Sequence, residues 1–465
     1  MILLISYKLH KDSLFPIAFL GFLFHKHLQV FATSGLETSI FITFILLGTN
    51  FALSQKSIHQ SLISSLCFVC ASLVRPDGIL FLFFLGLNLL ILYLSENLLK
   101  KDIFRKLIFF LLPILFLYLP YFIWRFQFYG WMFPNTYYAK SGNSSNWEQG
   151  IFYFLLYFKS YYSIFITLIL VILFNFKKIL SLSLNKLTIN LIFLFLFPSL
   201  TYIFYYTKVG GDFMFARFYL PVMPLLFIII EFGILGIENK KLKLAIASFF
   251  LLGIIFYYNP YKGKPIPSIN DISEENEIYK LNSVKNFLNK CENWKQHFVK
   301  SNVRIAIGGA NAVLAYCLNS NYVLEASTGL TDSALAHSSI ALNGRIGHEK
   351  KASLEYLLQK KIHIHWNGAE FGGLNEYNQI YFDSIPGVAR IIIYDKEIMN
   401  ELKKIPEIHF QDFDSYLENY ISKIKTIPKD KIKSDLLEFD KYYFNQNPNE
   451  KKREVIEKFL NTKNR

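Results

Sequence analysis

Long apolar runs separated by short polar segments occupy the first 258 residues of the chain. A membrane-spanning helix needs about 20 apolar residues, and fewer where it is short or tilted inside a bundle. The pattern therefore predicts eight spans, and one further segment is a candidate for a ninth. The eight lie at residues 13–33, 36–53, 60–74, 78–94, 106–124, 161–175, 187–206 and 219–237, and the ninth at 242–258. The aromatic segment 150–160 carries Lys159 and is expected to lie at the membrane interface.

The sequence turns polar after residue 258, at the Pro- and Lys-rich stretch NPYKGKPIPS. Short β-branched runs then alternate with helical patterns, which predicts an α/β layer fold. The runs are VRIAIGG, YVLEA, IHIHW and ARIIIYD. We therefore expect a polytopic helical membrane domain at residues 1–258 and an α/β domain at 259–465. The tail from Ile421 is expected to be helical, solvated and peripheral.

Composition and charge fit a membrane protein. The chain of 465 residues is 52% hydrophobic and 17% aromatic, which is too apolar for an ordinary soluble protein. A net charge of +14 could indicate nucleic-acid binding, but Lys and Arg are also enriched in the cytoplasmic loops of membrane proteins. If the spans alternate from a cytoplasmic KLHKDS, the inner loops carry more of these cations than the outer ones. We expect a multi-pass protein of a bacterial cytoplasmic membrane with its N-terminus inside, its C-terminal domain outside, and no nucleic-acid partner.

The same alternation places every unusual polar motif on the outer side. The motifs are TSGLETS at 33–39, RPDG at 75–78, RFQFYGWMFPNTYYAKSGN at 125–143 and KVGGDFMFARF at 208–218. Polar groups at membrane depth are costly and usually functional, so the shared side predicts a functional face. A simple turn that contains Gly and Pro would explain RPDG alone, but turns of this kind poorly explain why all four motifs lie on one side. The GGDF letters also match part of a cyclic-dinucleotide synthase signature, but that signature belongs to a soluble cytoplasmic domain.

The side chains on this face suit a sugar joined to a lipid phosphate. Arginine binds phosphate bidentately, and carboxylates hold sugar hydroxyls or remove their protons. Purely structural roles also remain open for three of these residues. Arg75 and Asp77 could pair across their turn, and Glu37 could stabilise a helix N-terminus. The catalytic candidates are Asp212 and Glu37. The substrate-binding candidates are Arg217, Lys140, Arg75, Asp77, Asn135, Tyr138 and His348.

These motifs resemble a known family, the membrane glycosyltransferases of the GT-C class that include the mycobacterial terminal arabinofuranosyltransferase. The matching segments are Ser34-Gly35-Leu36-Glu37-Thr38, Arg75-Pro76-Asp77-Gly78, Tyr129-Gly130 with residues 134–140, and residues 210–214 with Arg217-Phe218 and Pro221. In the polar part, Gly329-Leu330-Thr331-Asp332 and Gly347-His348-Glu349-Lys350 match the family's periplasmic domain. His348 is a candidate only through this resemblance.

The resemblance implies transfer of a sugar from a polyprenyl-phosphate donor to an extracytoplasmic cell-envelope glycan. It also implies an acidic first outer loop that has no counterpart in this sequence, so no residue inherits that role. The sequence leaves three explanations open. The chain could be a truncated gene product, or one half of an enzyme that works with a separately encoded N-terminal partner. It could also be a protein that has lost its catalytic activity or carries it on other residues. A non-catalytic membrane subunit that holds a lipid-linked glycan is the second hypothesis. A transporter is disfavoured, because few ionisable residues lie deep in the spans.

Other residues offer weaker chemistry. Cys67 and Cys70 are expected to pack as small hydrophobes, and Cys291 and Cys317 would pair only in an oxidising compartment. His363 and His365 have the spacing of metal ligands on one strand face, but such a pair is usually ordinary core or surface. The IGGANA segment lacks a full nucleotide fingerprint. The sequence shows no cofactor motif and leaves the use of a divalent cation open.

Overall fold

The computed structural model describes residues 1–10, 16–54, 57–95, 100–140, 145–180, 185–278, 280–298, 301–308, 312–339, 350–366, 376–383 and 388–461. Within these ranges the chain is mostly helical with a small sheet region. The chain divides into two compact units. The helical unit comprises Met1–Pro134 and Gly142–Ile278, and the sheet unit comprises Asn135–Ser141 and Tyr279–Arg465. This division differs from the boundary expected after residue 258, because residues 259–278 belong to the helical unit.

The described residues of the helical unit form fifteen α-helices and one short hairpin. Its helices are α1 Ile2–Leu9, α2 Ile17–Phe24, α3 Lys26–Ala32, α4 Thr38–Ser54, α5 Ile58–Val74, α6 Ile79–Ser95, α7 Lys100–Pro113, α8 Leu119–Tyr129, α10 Trp147–Ser160, α11 Tyr162–Leu180, α12 Lys186–Asn190, α13 Phe197–Lys208, α14 Met223–Leu235, α15 Lys240–Ile255 and α16 Glu275–Ile278, while α9 Asn135–Ala139 belongs to the sheet unit. The hairpin pairs β1 Ser268–Ile269 with β2 Ile272–Ser273 in antiparallel register.

Three helices in the described part of the chain are long and apolar enough to cross a membrane. They are Phe104–Tyr129, Tyr162–Ile179 and Lys186–Lys208, and they coincide with three of the predicted spans. Two of them are continuous through short π-helical stretches, at Ile114–Tyr118 and Leu191–Leu196. The first of the three ends where Gly130 adopts a φ of +75°, which is the usual left-handed end of a helix.

Four more predicted spans form apolar helices, but these helices are shorter. They are Thr38–Ser54, Ile58–Val74, Pro76–Leu92 and Leu220–Leu235. The predicted span at 13–33 is not one continuous helix, because it is interrupted at His25 between α2 and α3. This residue has extended backbone angles, and its Nδ1 accepts a hydrogen bond from the Leu28 N–H at 3.3 Å. The His25 side chain therefore ends α2 and caps α3.

The core of the helical unit is built around α14. Most of its side chains are buried, from Met223 to Ile234. Helix α10 covers the segment that was expected at the membrane interface, and it buries one face within the unit. Tyr153 and Tyr157 on that face are fully buried, so this face of α10 packs in the protein. It brings tyrosine hydroxyls next to the polar loops described below.

The sheet unit contains a six-stranded mixed sheet in the order β4-β3-β5-β7-β6-β8. Its strands are β3 Arg304–Ile307, β4 Tyr322–Glu325, β5 Ile364–Trp366, β6 Gln379–Phe382, β7 Val388–Ile391 and β8 Ile408–Phe410, and its other helices are α17 Leu281–Phe298, α18 Ala312–Leu318, α19 Ser333–Ala336, α20 Leu354–Gln359, α21 Lys396–Leu402, α22 Phe413–Ser422, α23 Lys429–Phe439 and α24 Lys452–Asn461. Strands β4, β3 and β5 are parallel and the others antiparallel. The four β-branched runs of the sequence supply β3, β4, β5 and β7, as predicted.

The C-terminal helices are part of the core of the sheet unit. Four of their side chains are at most 1% exposed, namely those of Ile432, Phe439, Tyr443 and Ile456. The Tyr443 ring lies 4.8 Å from the ring of Phe413 in a cluster of aromatic side chains. The expectation of a peripheral, solvated tail is therefore wrong: the apolar positions among the lysines form a buried face.

Candidate functional site

Arg75 is the centre of a buried polar network in the helical unit. Its Nη1 donates to Glu37 Oε1 at 3.0 Å, and its Nε and Nη2 donate to the two oxygens of Asp77 at 3.0 Å each. The guanidinium side chain is 8% exposed. Arginine and carboxylate match each other bidentately, so the pairing across the RPDG turn is present as one of the two interpretations anticipated.

Two tyrosines that the sequence analysis missed complete this network. Tyr202 and Tyr206 donate from their hydroxyls to Asp77 Oδ2 at 2.6 and 2.7 Å, and the Tyr206 hydroxyl also accepts from Arg75 Nη2 at 2.9 Å. They lie four residues apart on α13, so both rings point from one face of that helix. We call Glu37, Arg75, Asp77, Tyr202 and Tyr206 the arginine cluster.

The KVGGDFMFARF segment forms the second part of the site, and we call residues 209–218 the glycine loop. Gly210 and Gly211 have φ values of +104° and +77°, which side chains with a Cβ rarely adopt. A Cβ at Gly211 would lie 2.4 Å from Tyr153 Cγ. The Tyr153 hydroxyl donates to the carbonyl of Met214 at 3.1 Å. The glycine pair therefore lets the loop pack directly against a buried tyrosine.

Asp212 and Arg217 form a buried ion pair inside this loop. Asp212 Oδ2 lies 2.5 Å from Arg217 Nε, and the side chains are 1% and 9% exposed. The two groups are in ionic contact without the alignment of a hydrogen bond. Asp212 Oδ1 accepts from the N–H of Phe213 at 3.0 Å. Removing either partner of such a pair would leave an uncompensated buried charge.

The ring of Phe218 joins the two parts of the site. It stacks on Tyr206 with ring centres 4.1 Å apart. The Arg217 guanidinium lies 4.8 Å from its centre and the Arg75 guanidinium 5.5 Å from it. Residues from three of the polar segments, namely Glu37, Arg75 with Asp77, and 212–218, thus form one continuous arrangement, with two cations against one aromatic ring.

The two predicted catalytic carboxylates differ in access. The Glu37 side chain is 39% exposed, whereas the Asp212 side chain is 1% exposed. A general base must come within hydrogen-bond reach of the proton that it removes. In this conformation Glu37 is therefore the more accessible of the two carboxylates, and Asp212 is paired with Arg217 within the loop.

A third polar group, also missed by the sequence analysis, lies beside the glycine loop. Glu274 follows β2 and accepts from His27 Nε2 at 2.9 Å, while Lys26 lies 3.4 Å from its other oxygen. His27 Nδ1 is 2.6 Å from the Tyr161 hydroxyl. Because a carboxylate only accepts hydrogen bonds, Nε2 of His27 carries a hydrogen. The signal in the sequence was the pair of histidines in an otherwise apolar run.

The surroundings of Glu274 favour its ionised form. Burial raises its pKa, but the hydrogen bond and charge of His27 and the charge of Lys26 outweigh burial, so the pKa of Glu274 is lowered from its ordinary value of 4.5. A carboxylate with a lowered folded-state pKa stabilises the fold above its unfolded pKa. This contribution is lost as the pH falls below about 4.5 towards the lowered value.

Three predicted binding residues belong to the sheet unit and have structural contacts there. Asn135 Nδ2 donates to the carbonyls of Gly329 and Leu330 at 2.7 and 2.9 Å. The Tyr138 ring lies 4.1 Å from the His337 ring. Lys140 follows α9 and is partly buried. His348 lies outside the described residues.

These contacts join two of the motifs on which the family resemblance rests. Asp332, the last residue of the GLTD motif, caps α19 and accepts from the Tyr356 hydroxyl at 2.7 Å. Lys360 is 3.4 Å away. Burial raises the pKa of Asp332, but these hydrogen bonds and the Lys360 charge lower it overall. Within the sheet unit, the motif at 135–140 therefore packs on an ordered turn at 329–332.

His363 and His365 are buried in the sheet unit. His363 Nδ1 accepts from the N–H of Arg304 at 2.9 Å, so this nitrogen carries no hydrogen. Burial lowers the pKa of each histidine to about 4. Among the described residues, no group of three or more His, Cys, Asp or Glu side chains has the arrangement of a metal site.

The described cysteines include both free thiols and a disulfide. Cys67 and Cys70 are free, and Cys67 is buried. Cys317 is disulfide-bonded. The side chain of Cys291 and the IGGANA residues 309–311 lie outside what the structure describes.

Comparisons with models of protein families, with curated proteins and with solved structures found no match to this chain.

Proposed function

We propose that the chain is an integral membrane glycosyltransferase of the GT-C type that moves a sugar from a polyprenyl-phosphate donor to an extracytoplasmic cell-envelope glycan. The observation that carries the proposal is the meeting of Glu37, Arg75, Asp77, Asp212 and Arg217 around Phe218. These residues come from motifs far apart in the sequence. Four of these ionisable groups are largely buried and Glu37 is 39% exposed. Burying charges is unfavourable unless they are paired, and such clusters at membrane depth usually serve a function.

Arg217 is the cation with donors left for a phosphate. Its Nε faces Asp212, and its terminal nitrogens bond no acceptor among the described residues. Arg75 is more fully occupied, because Glu37, Asp77 and Tyr206 already accept from it. In the proposed reaction Arg217 stabilises the leaving lipid phosphate, and Arg75 holds Glu37 in position.

The proposed reaction is a direct displacement with inversion. The oxygen of an acceptor hydroxyl forms a bond to the anomeric carbon, and the bond from that carbon to the phosphate oxygen breaks. The phosphate leaves with the electron pair, and the hydroxyl proton passes to the Glu37 carboxylate. Aromatic side chains at the membrane surface would hold the sugar and the lipid tail, and the sheet unit would bind the acceptor glycan.

The proposal includes eight or nine spans in a bacterial cytoplasmic membrane, with the N-terminus inside and the sheet unit outside. The bias of Lys and Arg between alternate loops supports this orientation. The disulfide at Cys317 supports it as well, because disulfides persist in oxidising compartments and are rare in the cytosol. Alkaline phosphatase fused after residue 461 would be active if this orientation is right, and inactive if the sheet unit faces the cytoplasm.

The test is sugar transfer by the purified full chain in lipid nanodiscs. Radiolabelled polyprenyl-phosphate mannose, glucose and arabinose are supplied one at a time with an extract of cell-envelope glycan, and the labelled glycan is counted. Replacing Arg217 by Met should lower kcat by about a hundredfold, as for loss of one donor to a developing negative charge. Arg105→Met, at an exposed arginine of the same unit, is the matched control.

Each outcome has a definite meaning. Transfer that depends on Arg217 and not on Arg105 supports the proposal. Tight donor binding without transfer would instead support a non-catalytic subunit that holds a lipid-linked glycan. Absence of both binding and transfer with all three donors would overturn the proposal.

A further inference from the structure

The glycine loop is fastened to the segment that follows the short hairpin. The N–H of Ser273 donates to the carbonyl of Phe213 at 2.7 Å, and the N–H of Phe215 donates to the carbonyl of Ser273 at 3.0 Å. These two bonds flank Met214, which pairs with Ser273 as an isolated bridge. The conformation of residues 213–215 therefore depends on where Ser273 is held.

The next residue, Glu274, anchors this segment inside the helical unit. Its carboxylate is 3% exposed and is bound by His27 at one oxygen, with Lys26 near the other. His27 itself is 2% exposed and reaches the Tyr161 hydroxyl at the start of α11. The Lys26 ammonium also donates to Tyr257, at 2.7 Å. One carboxylate thus ties the loop segment to α3 directly and, through Lys26 and His27, to Tyr257 just after α15 and to the junction of α10 and α11.

The break between α2 and α3 makes this anchor possible. In an uninterrupted helix, His25 and His27 would point in directions about 200° apart. Here His25 Nε2 lies 3.0 Å from the Tyr157 hydroxyl and its ring stacks on Tyr161 at 4.1 Å, while His27 reaches Tyr161 from its edge. The interruption at His25 therefore places both imidazoles against the tyrosines of the α10–α11 junction.

We infer that Glu274 and His27 are positioning residues, which hold the glycine loop so that Asp212 and Arg217 keep their places in the transfer site. The path is short: Glu274 fixes Ser273, Ser273 is hydrogen-bonded on both sides of Met214, and Asp212 directly precedes Phe213. Neither residue touches the reacting atoms in this role. The inference rests on the proposed function for its effect on transfer, but the anchoring itself can be measured without any substrate.

The experiment measures hydrogen exchange of the full chain in nanodiscs, read from peptides that cover residues 209–219. Replacing Glu274 by Ala removes the contacts to His27 and Lys26 and should speed exchange of these amides about tenfold, because local opening needs less free energy when a buried charged hydrogen bond is lost. Glu274→Gln keeps a side chain that can bond His27 and should raise exchange less. The control is Glu277→Ala, three residues along, at a side chain with no ion pair or side-chain hydrogen bond in the described part of the unit.

The inference predicts faster exchange confined to peptides 209–219 and 268–274, in the order Ala, then Gln, then wild type. Unchanged exchange at 209–219 in Glu274→Ala would overturn it, and so would an equal rise over all helices, since that would indicate only general stabilisation. A transfer assay then gives the functional readout: kcat falls while KM stays the same. If no variant or wild-type protein transfers sugar, the proposed function fails and the exchange result still decides the anchoring.

Discussion

Breaking the Asp212–Arg217 ion pair should destabilise the helical unit far more than breaking an exposed pair. The perturbation is Asp212→Asn, which keeps the side-chain oxygen that accepts from the Phe213 N–H but removes the charge. It leaves the Arg217 guanidinium, 9% exposed, without its counter-ion. The size of the effect then depends on what else compensates that cation.

The expected cost is about 3 kcal/mol. Removal of one partner from a buried pair usually costs about 3–5 kcal/mol, since the remaining charge is desolvated and unpaired. The Arg217 guanidinium lies 4.8 Å from the Phe218 ring and 5.9 Å from the Phe213 ring, but these cation–π contacts are present with and without the Asp212 charge and so leave the cost within this range. The double variant Asp212→Asn with Arg217→Met has no buried charge in the loop and should cost less than either single variant.

The assay is equilibrium unfolding of the full chain in mixed micelles, arranged as a double-mutant cycle. The control cycle uses Lys178 and Glu238, which form an exposed pair at 3.0 Å in the same unit. Its coupling should be about 0.5 kcal/mol or less because water screens both charges. The reasoning would be refuted if the double variant were as unstable as the sum of the single variants, or if the two cycles gave equal coupling.

Three further predictions follow from local geometry. Gly211→Ala should prevent correct folding of the loop or cost about 3 kcal/mol or more, because the new methyl group would overlap Tyr153 and the backbone φ is +77°; thermal unfolding against wild type measures this. The sheet unit should lose stability as the pH falls from 6.5 towards 4, because the pKa of His363 is lowered to about 4 and its neutral Nδ1 accepts a hydrogen bond from the Arg304 N–H. The variant His363→Gln should flatten the dependence of the unfolding midpoint on pH. The same dependence on pH in this variant as in the wild type would contradict the prediction. Cys317→Ser should lower the unfolding free energy of the sheet unit by about 2–4 kcal/mol under oxidising conditions and leave it nearly unchanged under reducing conditions.

The parts of the fold that depend on local pattern were predictable. The apolar runs at 106–124, 161–175 and 187–206 became helices of membrane-spanning length, because a long apolar run has few other ways to satisfy its backbone in a bilayer. The β-branched runs became strands of the sheet. The interruption at His25 was not predictable from hydropathy, because it depends on an imidazole that caps the next helix rather than on Gly or Pro.

The candidate site was predictable in its charged members but not in their neighbours. Glu37, Arg75 and Asp77 stood out as charges between apolar runs, and the structure brings them into contact. Tyr202 and Tyr206 were hidden in an aromatic-rich helix, where tyrosine serves equally well as an interfacial anchor. Their role depends on the approach of α13 to the RPDG turn, which is a tertiary contact that one sequence does not contain.

The buried tail shows a different limit. Lysines dominate the composition after Ile421 and conceal apolar positions that recur at helical spacing. Ile432, Leu436 and Phe439 occupy one face of α23 and are buried. The spacing of these three residues predicts a buried helix face, whereas the average composition of the segment predicts a solvent-exposed one.

The most direct test of the central claim is the effect of Glu37→Gln on sugar transfer from a polyprenyl-phosphate donor. Gln keeps the size of the side chain and an oxygen that accepts from Arg75, but it cannot remove a proton from an acceptor hydroxyl. The account predicts that kcat falls by about a hundredfold or more while donor KM and the unfolding midpoint are unchanged. Glu148→Gln, at an exposed carboxylate of the same unit, should behave as wild type. Full transfer activity in Glu37→Gln would contradict the placement of the reaction at this cluster.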